Sequence, residues 1–182
     1  MTPTTDLIKC TAISGALWLS GKMAAQALVT VPTLLKSKGK SKVSSKTPVQ
    51  IWRHIYQAGH VHSPPIAAFT STAFAYLCWD VHSQHTGSQV QTLLYGTAAL
   101  LVIGIVPYTR ISMSRVNAEL FSRNMAEEEE EKTKDEGKDA KGKQDGRTHE
   151  SLVREWGLLT GVRSLLPLTG GLLGFVAAIR YE

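Results

Sequence analysis

Residues 92–109 read TLLYGTAALLVIGIVPYT, an apolar run that contains no Asp, Glu, Lys or Arg. Upstream, the chain is free of these residue types back to residue 81. The same holds for residues 55–79 and 164–179. A helix of a soluble protein keeps one charged face in water, whereas a bilayer accepts a helix that is apolar all round. The charge-free stretches therefore predict an all-α membrane protein.

Four segments are candidates for crossing the bilayer, because about 20 apolar residues suffice to cross its hydrocarbon core. The first resembles a signal peptide, but its apolar run continues past the cleavage-like Ala25-Gln26-Ala27, and we interpret it as a retained span. The four segments predict one membrane domain built as a four-helix bundle. Its spans lie at about 10–35, 55–79, 92–109 and 156–179.

Within the second segment, Pro64 and Pro65 lie one after the other. Proline lacks a backbone N–H and clashes with the preceding helical turn. We therefore expect the second helix to break or kink at this pair.

Residues 126–148 are almost entirely charged or polar and contain a run of five Glu at 127–131. Such a segment has no apolar surface to bury, so it predicts a disordered loop before the last helix, into which a few Glu extend the preceding helix. The loops at 36–53 and 110–154 hold six and ten Lys or Arg, whereas the turn at 80–91 holds none. The positive-inside rule then predicts that both basic loops are cytosolic.

Several function classes are disfavoured by composition and motifs. The net charge is +5 over 182 residues, and no aromatic residues interleave the basic runs, so nucleic acid is not an expected partner. Two cysteines do not make a disulfide framework. Neither a dinucleotide fingerprint, nor a P-loop, nor a nucleophile elbow occurs, so we expect no nucleotide or flavin cofactor.

Two ionisable residues lie inside apolar segments, where a charge is expensive and suggests a function. Lys22 lies in the first span; it either snorkels structurally or serves as a base or an anion holder. Arg163 lies early in the last span; it either anchors the helix at the interface or holds an oxyanion.

Three histidines, His54, His60 and His62, cluster before the proline pair. Their spacing does not match a metal motif such as H-E-x-x-H, so we expect no metal site. Histidine titrates near neutral pH, which makes a general base the more plausible role. The alternative for each is a polar residue at the membrane interface.

Each of the four segments carries one or two short motifs, and these motifs follow one another in a fixed order. They are LWLSG at 17–21 with VPTLL at 31–35, WRHIYQAG at 52–59, PYT at 107–109 with NAEL at 117–120, and VRSLLPL at 162–168. Together these motifs resemble the small membrane proteins of the fungal anthrone oxygenase family. The resemblance leaves out only the two charged loops. Two positions depart from the family pattern: Lys22 stands where the pattern has Asn, and Thr160 where it has Asn or His.

The resemblance implies oxygenation of an anthrone to an anthraquinone with O2 in aromatic polyketide biosynthesis. Laid on the motifs, residue chemistry suggests that one of the three histidines takes a proton, with Lys22 as the competing base. Arg163 would hold the enolate oxygen. The remaining candidates would contact the aromatic substrate; they are Trp52, Tyr56, Tyr108, Asn117 and Trp156.

Other readings remain open at this point. A non-catalytic membrane adaptor would recruit partners through the charged loop, whereas a transporter is disfavoured because no internal repeat is visible. Gly170, Gly171 and Gly174 are small enough for close helix packing, within one chain or in a homo-oligomer. The sequence shows no targeting signal for another compartment, so we expect a multi-pass protein, surrounded by lipid, in the membrane of the endoplasmic reticulum.

Overall fold

A computed structural model describes residues 3–37, 48–84, 88–135 and 149–180, and every element within these ranges is helical. The helices are α1 (Pro3–Ala25), a π-helical turn (Gln26–Thr30), α2 (Val31–Ser37), α3 (Pro48–Ser83), α4 (Gln89–Ile103), α5 (Ile105–Ser112), α6 (Ser114–Asp135) and α7 (His149–Arg180).

Four long helices form a ring in which α1 and α4 each pack against both α3 and α7. The ring encloses a core of small and large apolar side chains, among them Ala16, Leu19, Phe74 and Tyr95. A second apolar cluster lies at the end where α6 packs against α3 and α7. Its buried members include Trp52, Leu120 and Trp156. The fold is therefore all-α, as the sequence predicts.

The helices differ from the predicted segments at two places. No break occurs at the proline pair, because α3 runs without interruption through Pro64 and Pro65, whereas the alternative, a kink, stays a prediction. The part of α3 before the pair packs against α6 and α7, and the part after it packs against α1 and α4. Membrane helices tolerate proline when neighbouring helices support them in this way. The third predicted segment is divided at Gly104, where α4 ends and α5 begins.

The predicted charged loop at 126–148 is helical in its first part, because α6 continues to Asp135. The remaining part, 136–148, lies outside the described residues.

Two stretches of the described chain, Gln89–Ser112 and Glu150–Arg180, are long and apolar enough to cross a membrane. They correspond to the third and fourth predicted spans; the first two spans stay predictions. Large apolar side chains are also exposed on the outside of the ring. They include Leu28, Phe69, Leu93, Leu100, Ile111, Leu158 and Leu172.

The three glycines of the last segment serve packing inside the chain. A Cβ on Gly170 would lie 3.1 Å from the Ala98 carbonyl oxygen of α4, and one on Gly171 would lie 3.0 Å from the Leu17 side chain of α1. A Cβ on Gly174 would lie 2.7 Å from Cζ of the fully buried Phe74 of α3. These contacts bring α7 close to each of the other three ring helices.

Replacing Gly174 with alanine is expected to lower the free energy of unfolding by about 1–3 kcal/mol, because the buried Phe74 ring cannot move aside freely. Gly21→Ala is the matched control, since a Cβ there meets nothing within 4 Å. Alanine at that open helical position should instead stabilise by about 0.5–1 kcal/mol. Thermal melting in detergent measures both; equal midpoints for the two variants would contradict the packing argument.

Candidate functional site

A cavity of about 370 Å³ lies between α3, α5 and α7, with the π-helical turn at its edge. This volume is near the lower end of the roughly 300–1,000 Å³ typical of small-molecule sites. Its walls are mainly apolar and aromatic. The lining residues are Gln26, Ile55, Tyr56, Gly59, His60, Ser63, Pro64, Pro65, Ala67, Ile105, Val106, Thr109, Arg110, Met113, Trp156 and Arg163.

The proline pair shapes the α3 wall of this cavity. Because Pro64 and Pro65 have no N–H, the carbonyl groups of His60 and Val61 lose their usual helical donors. His60 and both prolines line the cavity, whereas Val61 does not. The wall therefore combines a histidine side chain with locally weakened backbone hydrogen bonding.

Arg163 enters the cavity from α7 and is fixed by α5. Its Nη1 donates a hydrogen bond of 2.9 Å to Thr109 Oγ1, and Thr109 Oγ1 donates one of 2.7 Å to the Ile105 carbonyl. The Nε of Arg163 is buried and has no hydrogen-bond partner. A guanidinium has five N–H donors, and only one of them is used here, so Arg163 is suited to hold an oxyanion of a ligand.

The two tyrosines near Arg163 differ in position. Tyr56 and Tyr108 both lie close enough for their phenol oxygens to interact with the guanidinium charge. Tyr56 lines the cavity, whereas Tyr108 does not; its hydroxyl donates to the Leu159 carbonyl at 3.5 Å.

Lys22 lies behind the cavity wall. Its Nζ donates to Ser63 Oγ at 3.3 Å and lies 5.6 Å from the centre of the Trp18 ring. Ser63 lines the cavity, although Lys22 does not. The ammonium group of Lys22 and the guanidinium group of Arg163 repel each other electrostatically. Two cations thus approach the same cavity from α1 and α7.

The structure separates the three candidate histidines. His60 lines the cavity, and its ring packs against Tyr56 with the ring centres 5.7 Å apart. All three side chains are exposed, but His54 and His62 do not line the cavity. In addition, His62 Nδ1 lies 2.8 Å from the Ala58 carbonyl oxygen on the same helix. Only His60 of the three therefore faces a ligand in this cavity.

The aromatic candidates form two layers. Trp156 lines the cavity, whereas Trp52 is fully buried behind it, with the two ring centres 6.1 Å apart in an edge-to-face arrangement. Phe121 packs against both Trp52 and Tyr56 at 5.3 Å and 5.1 Å. Asn117 is buried and does not line the cavity, and its Oδ1 has no hydrogen-bond partner. Trp52 therefore supports the cavity wall rather than contacting a ligand.

Sequence reasoning did not assign Ser63, Thr109 or Gln26 to the site. Thr109 belongs to the PYT motif, but only its contact with Arg163, 54 positions away, reveals a role. Gln26 was recognisable as a polar interruption of the first apolar segment; it begins the π-helical turn, a distortion frequent at functional sites. Ser63 follows Tyr56 and Gly59 at helical spacing, a signal that was present in the sequence.

Within the described ranges, no group of three or more His, Cys, Asp or Glu side chains is placed to hold a metal ion. The cavity wall supplies aromatic rings, a histidine and hydrogen-bond donors. These groups suit an aromatic ligand that carries negative charge.

Comparisons with known proteins give a consistent assignment. Residues 52–173 match the family model described as anthrone oxygenase. The chain is 47% identical over 173 residues to anthrone oxygenase encC of Aspergillus fumigatus, covering 95% of this chain and 93% of that protein. It is 30% identical over 172 residues to the noranthrone monooxygenase of Aspergillus flavus, covering 90% and 71%. No solved structure matches the chain.

Proposed function

The chain belongs to the anthrone oxygenase family, and on that premise we propose that it oxidises an anthrone to an anthraquinone with O2 in aromatic polyketide biosynthesis. It is accordingly an oxidoreductase of the monooxygenase type. The observation that carries the proposal is the aromatic-walled cavity that Arg163 and His60 both line.

The reaction converts the CH2 group opposite the anthrone ketone into a second carbonyl. Loss of one proton from this CH2 gives an electron-rich aromatic enolate, which transfers an electron to O2. The two radicals combine at the same carbon into a peroxide. Loss of the second C–H proton and cleavage of the O–O bond then give the quinone and one water. One oxygen atom of O2 thus enters the product, and the other leaves as water.

This chemistry requires a base and a group that stabilises the enolate oxygen. In the proposal His60 takes the first proton, and the guanidinium of Arg163 donates to the oxygen. Thr109 keeps the guanidinium oriented through its 2.9 Å hydrogen bond. Lys22 remains the competing base, although its ammonium reaches the cavity only through Ser63.

The aromatic walls would hold the flat tricyclic substrate. Tyr56 and Trp156 contact it directly in this proposal, while Trp52, Tyr108 and Asn117 support those walls from behind. Because the enolate itself reduces O2, the proposed reaction uses no metal or organic cofactor. Every side chain of the proposed site comes from one chain, so a homo-oligomer is not needed to complete it.

The proposal places the protein in a membrane with four spans. Stretches Gln89–Ser112 and Glu150–Arg180 are long and apolar enough to cross; α1 packs along the second of them, and α3 packs against both. Helices packed in this way lie at the same depth, so α1 and α3 would cross as well. The exposed apolar side chains would then face lipid. A multi-pass protein of the endoplasmic reticulum, with the basic loops cytosolic, fits this arrangement.

The test is oxygen uptake by purified protein in detergent, supplied with an anthrone after metal chelation and without added cofactor. Quinone formation well above the spontaneous rate, with one O2 consumed per quinone, is the expected result. A chain that lacks residues 136–148 should keep this rate, whereas an adaptor that recruits partners through this charged segment would lose its function. Background rates across several anthrones would overturn the proposal.

A further inference from the structure

An open groove of about 510 Å³ lies along the contact between α1 and α3, on the outside of the bundle. Trp18 and Phe69 line it with rings that are 52% and 66% exposed, whereas Thr70 lines it with a buried side chain. Gly15 supplies no side chain to the groove, and a Cβ there would lie only 2.5 Å from Thr70 Oγ1. No Asp, Glu, Lys or Arg is among the lining residues, so the groove suits an uncharged molecule.

The groove and the cavity lie along the same helix–helix contact. Three cross-contacts define how α1 and the π-helical turn lie against α3; they are Gly15 with Thr70, Lys22 with Ser63, and Gln26 with Gly59. Each step forward along the first segment is matched by an equal step backward along α3, so the two run antiparallel. The groove adjoins the first of these contacts and the cavity adjoins the third. The middle contact therefore lies between the groove and the cavity.

The divider between the two spaces is thin. Trp18 lines the groove and contacts Lys22, whose Nζ donates to Ser63 Oγ on the cavity wall. On α3, Ile66 lines the groove, although both of its neighbours in the sequence line the cavity. An exposed side chain such as Trp18 changes rotamer rapidly, and this rotation would remove its contact with Lys22.

The groove offers contacts for a flat aromatic molecule. Its two exposed rings can pack against a third ring in an offset or edge-to-face arrangement. In the part of the chain that the structure describes, the buried Thr70 Oγ1 has no hydrogen-bond partner, so it is available to a ketone or phenol oxygen. Because Trp18 and Phe69 are exposed on the outside of the bundle, the groove would open to lipid in the four-span arrangement.

We propose that this groove is an entry site, at which the aromatic substrate binds from the bilayer before it moves past Trp18 into the cavity. The inference rests on the proposed function and deepens it, since it names the route by which the substrate reaches the site. An uncharged tricyclic anthrone favours lipid over water, so an entrance from the bilayer spares it a return to water. The shared contact that leads from groove to cavity favours the substrate over a second copy of the chain as the occupant.

The test measures how fast anthraquinone, a stable stand-in for the substrate, binds to purified protein and leaves it, followed by quenching of tryptophan fluorescence. Ser14→Phe places a ring in the groove from an exposed position of α1. It should slow association and dissociation alike by about tenfold or more and leave Kd unchanged, because an obstacle on the route raises the barrier in both directions. Trp18→Ala should speed both steps, again with unchanged Kd. Thr72→Phe is the matched control, since Thr72 is an exposed residue of α3 that lines neither space.

Cys10 measures occupancy of the groove directly, because it lines the groove and is exposed. The chain has two cysteines, so Cys78→Ser leaves Cys10 as its one thiol. Serine at position 78 keeps a donor for the Thr92 carbonyl, which Cys78 bonds at 3.3 Å. Anthraquinone should slow the alkylation of Cys10 by N-ethylmaleimide, and alkylation that is not slowed up to the solubility limit of anthraquinone would overturn the site.

Three further outcomes are decisive. Binding and release rates of Ser14→Phe equal to those of wild type would overturn the entry site, even if anthraquinone protects Cys10. A change in oligomeric state in Ser14→Phe, measured by light scattering in detergent, would also overturn it, because a second copy would then cover the groove. Background rates of anthrone oxidation together with slowed binding in Ser14→Phe would overturn the proposed function and leave the entry site standing.

Discussion

Replacing Arg163 with methionine is expected to lower kcat/KM for anthrone oxidation by about 10²–10³-fold, the usual effect of losing one oxyanion donor. The enolate oxygen would lose both the positive charge and the guanidinium donor of a residue that lines the cavity. Steady-state oxygen uptake with a neutral anthrone measures this effect. Arg154→Met is the matched control, because Arg154 is an exposed arginine on the same helix that does not line the cavity.

Two further variants test how Arg163 acts. Arg163→Lys keeps the positive charge, but its ammonium group lacks the planar arrangement of donors with which arginine can bond Thr109 and the substrate at once. Its kcat/KM should therefore lie between the values of Arg163→Met and of the wild type. Thr109→Val removes the acceptor of the 2.9 Å hydrogen bond and should lower kcat about tenfold with little change in KM. Rates of Arg163→Met within twofold of wild type would show that the arginine is structural.

A loss of activity in Arg163→Met would not reflect a loss of folding. Replacing a buried cation with an apolar side chain of similar length is often neutral or stabilising. The melting midpoint of this variant in detergent should therefore equal or exceed that of wild type. A lower midpoint would indicate that the hydrogen bond to Thr109 stabilises the contact between α5 and α7.

The charge-free stretches predict the apolar helices, because each stretch can be recognised from the residue types that follow one another in the sequence. The continuity of α3 through Pro64 and Pro65 could not be predicted from residue types along the chain. The local rule predicts a break or a kink, whereas α3 continues through the pair and packs against other helices on both sides of it. Those contacts involve residues distant in sequence, and a pattern within α3 does not contain them.

The candidate site was predictable where its residues follow one helical face. Trp52, Tyr56, His60 and Ser63 recur at spacings of three or four, which aligns them along α3. His54 and His62 lie off this face, and the spacing alone could have separated them from His60. The contact of Arg163 with Thr109 could not be found, since it depends on how α5 and α7 are rotated against each other.

Replacing His60 with asparagine is expected to lower kcat by about 10²–10⁴-fold, the range for loss of a general base. Asparagine keeps a polar side chain of similar size but cannot accept the proton from the anthrone CH2 group. His54→Asn and His62→Asn are matched controls, because both histidines are exposed and lie outside the cavity lining. Turnover of an anthrone with a CD2 group should be slowed further in His60→Asn than in wild type, since proton removal then limits the rate.

The histidine and lysine variants together identify the base. If His60 is the base, His60→Asn loses turnover, whereas Lys22→Met keeps most of its rate. If Lys22 is the base, Lys22→Met loses turnover, and His60→Asn keeps most of its rate. The two outcomes exclude each other, because the anthrone CH2 group gives its first proton to a single base.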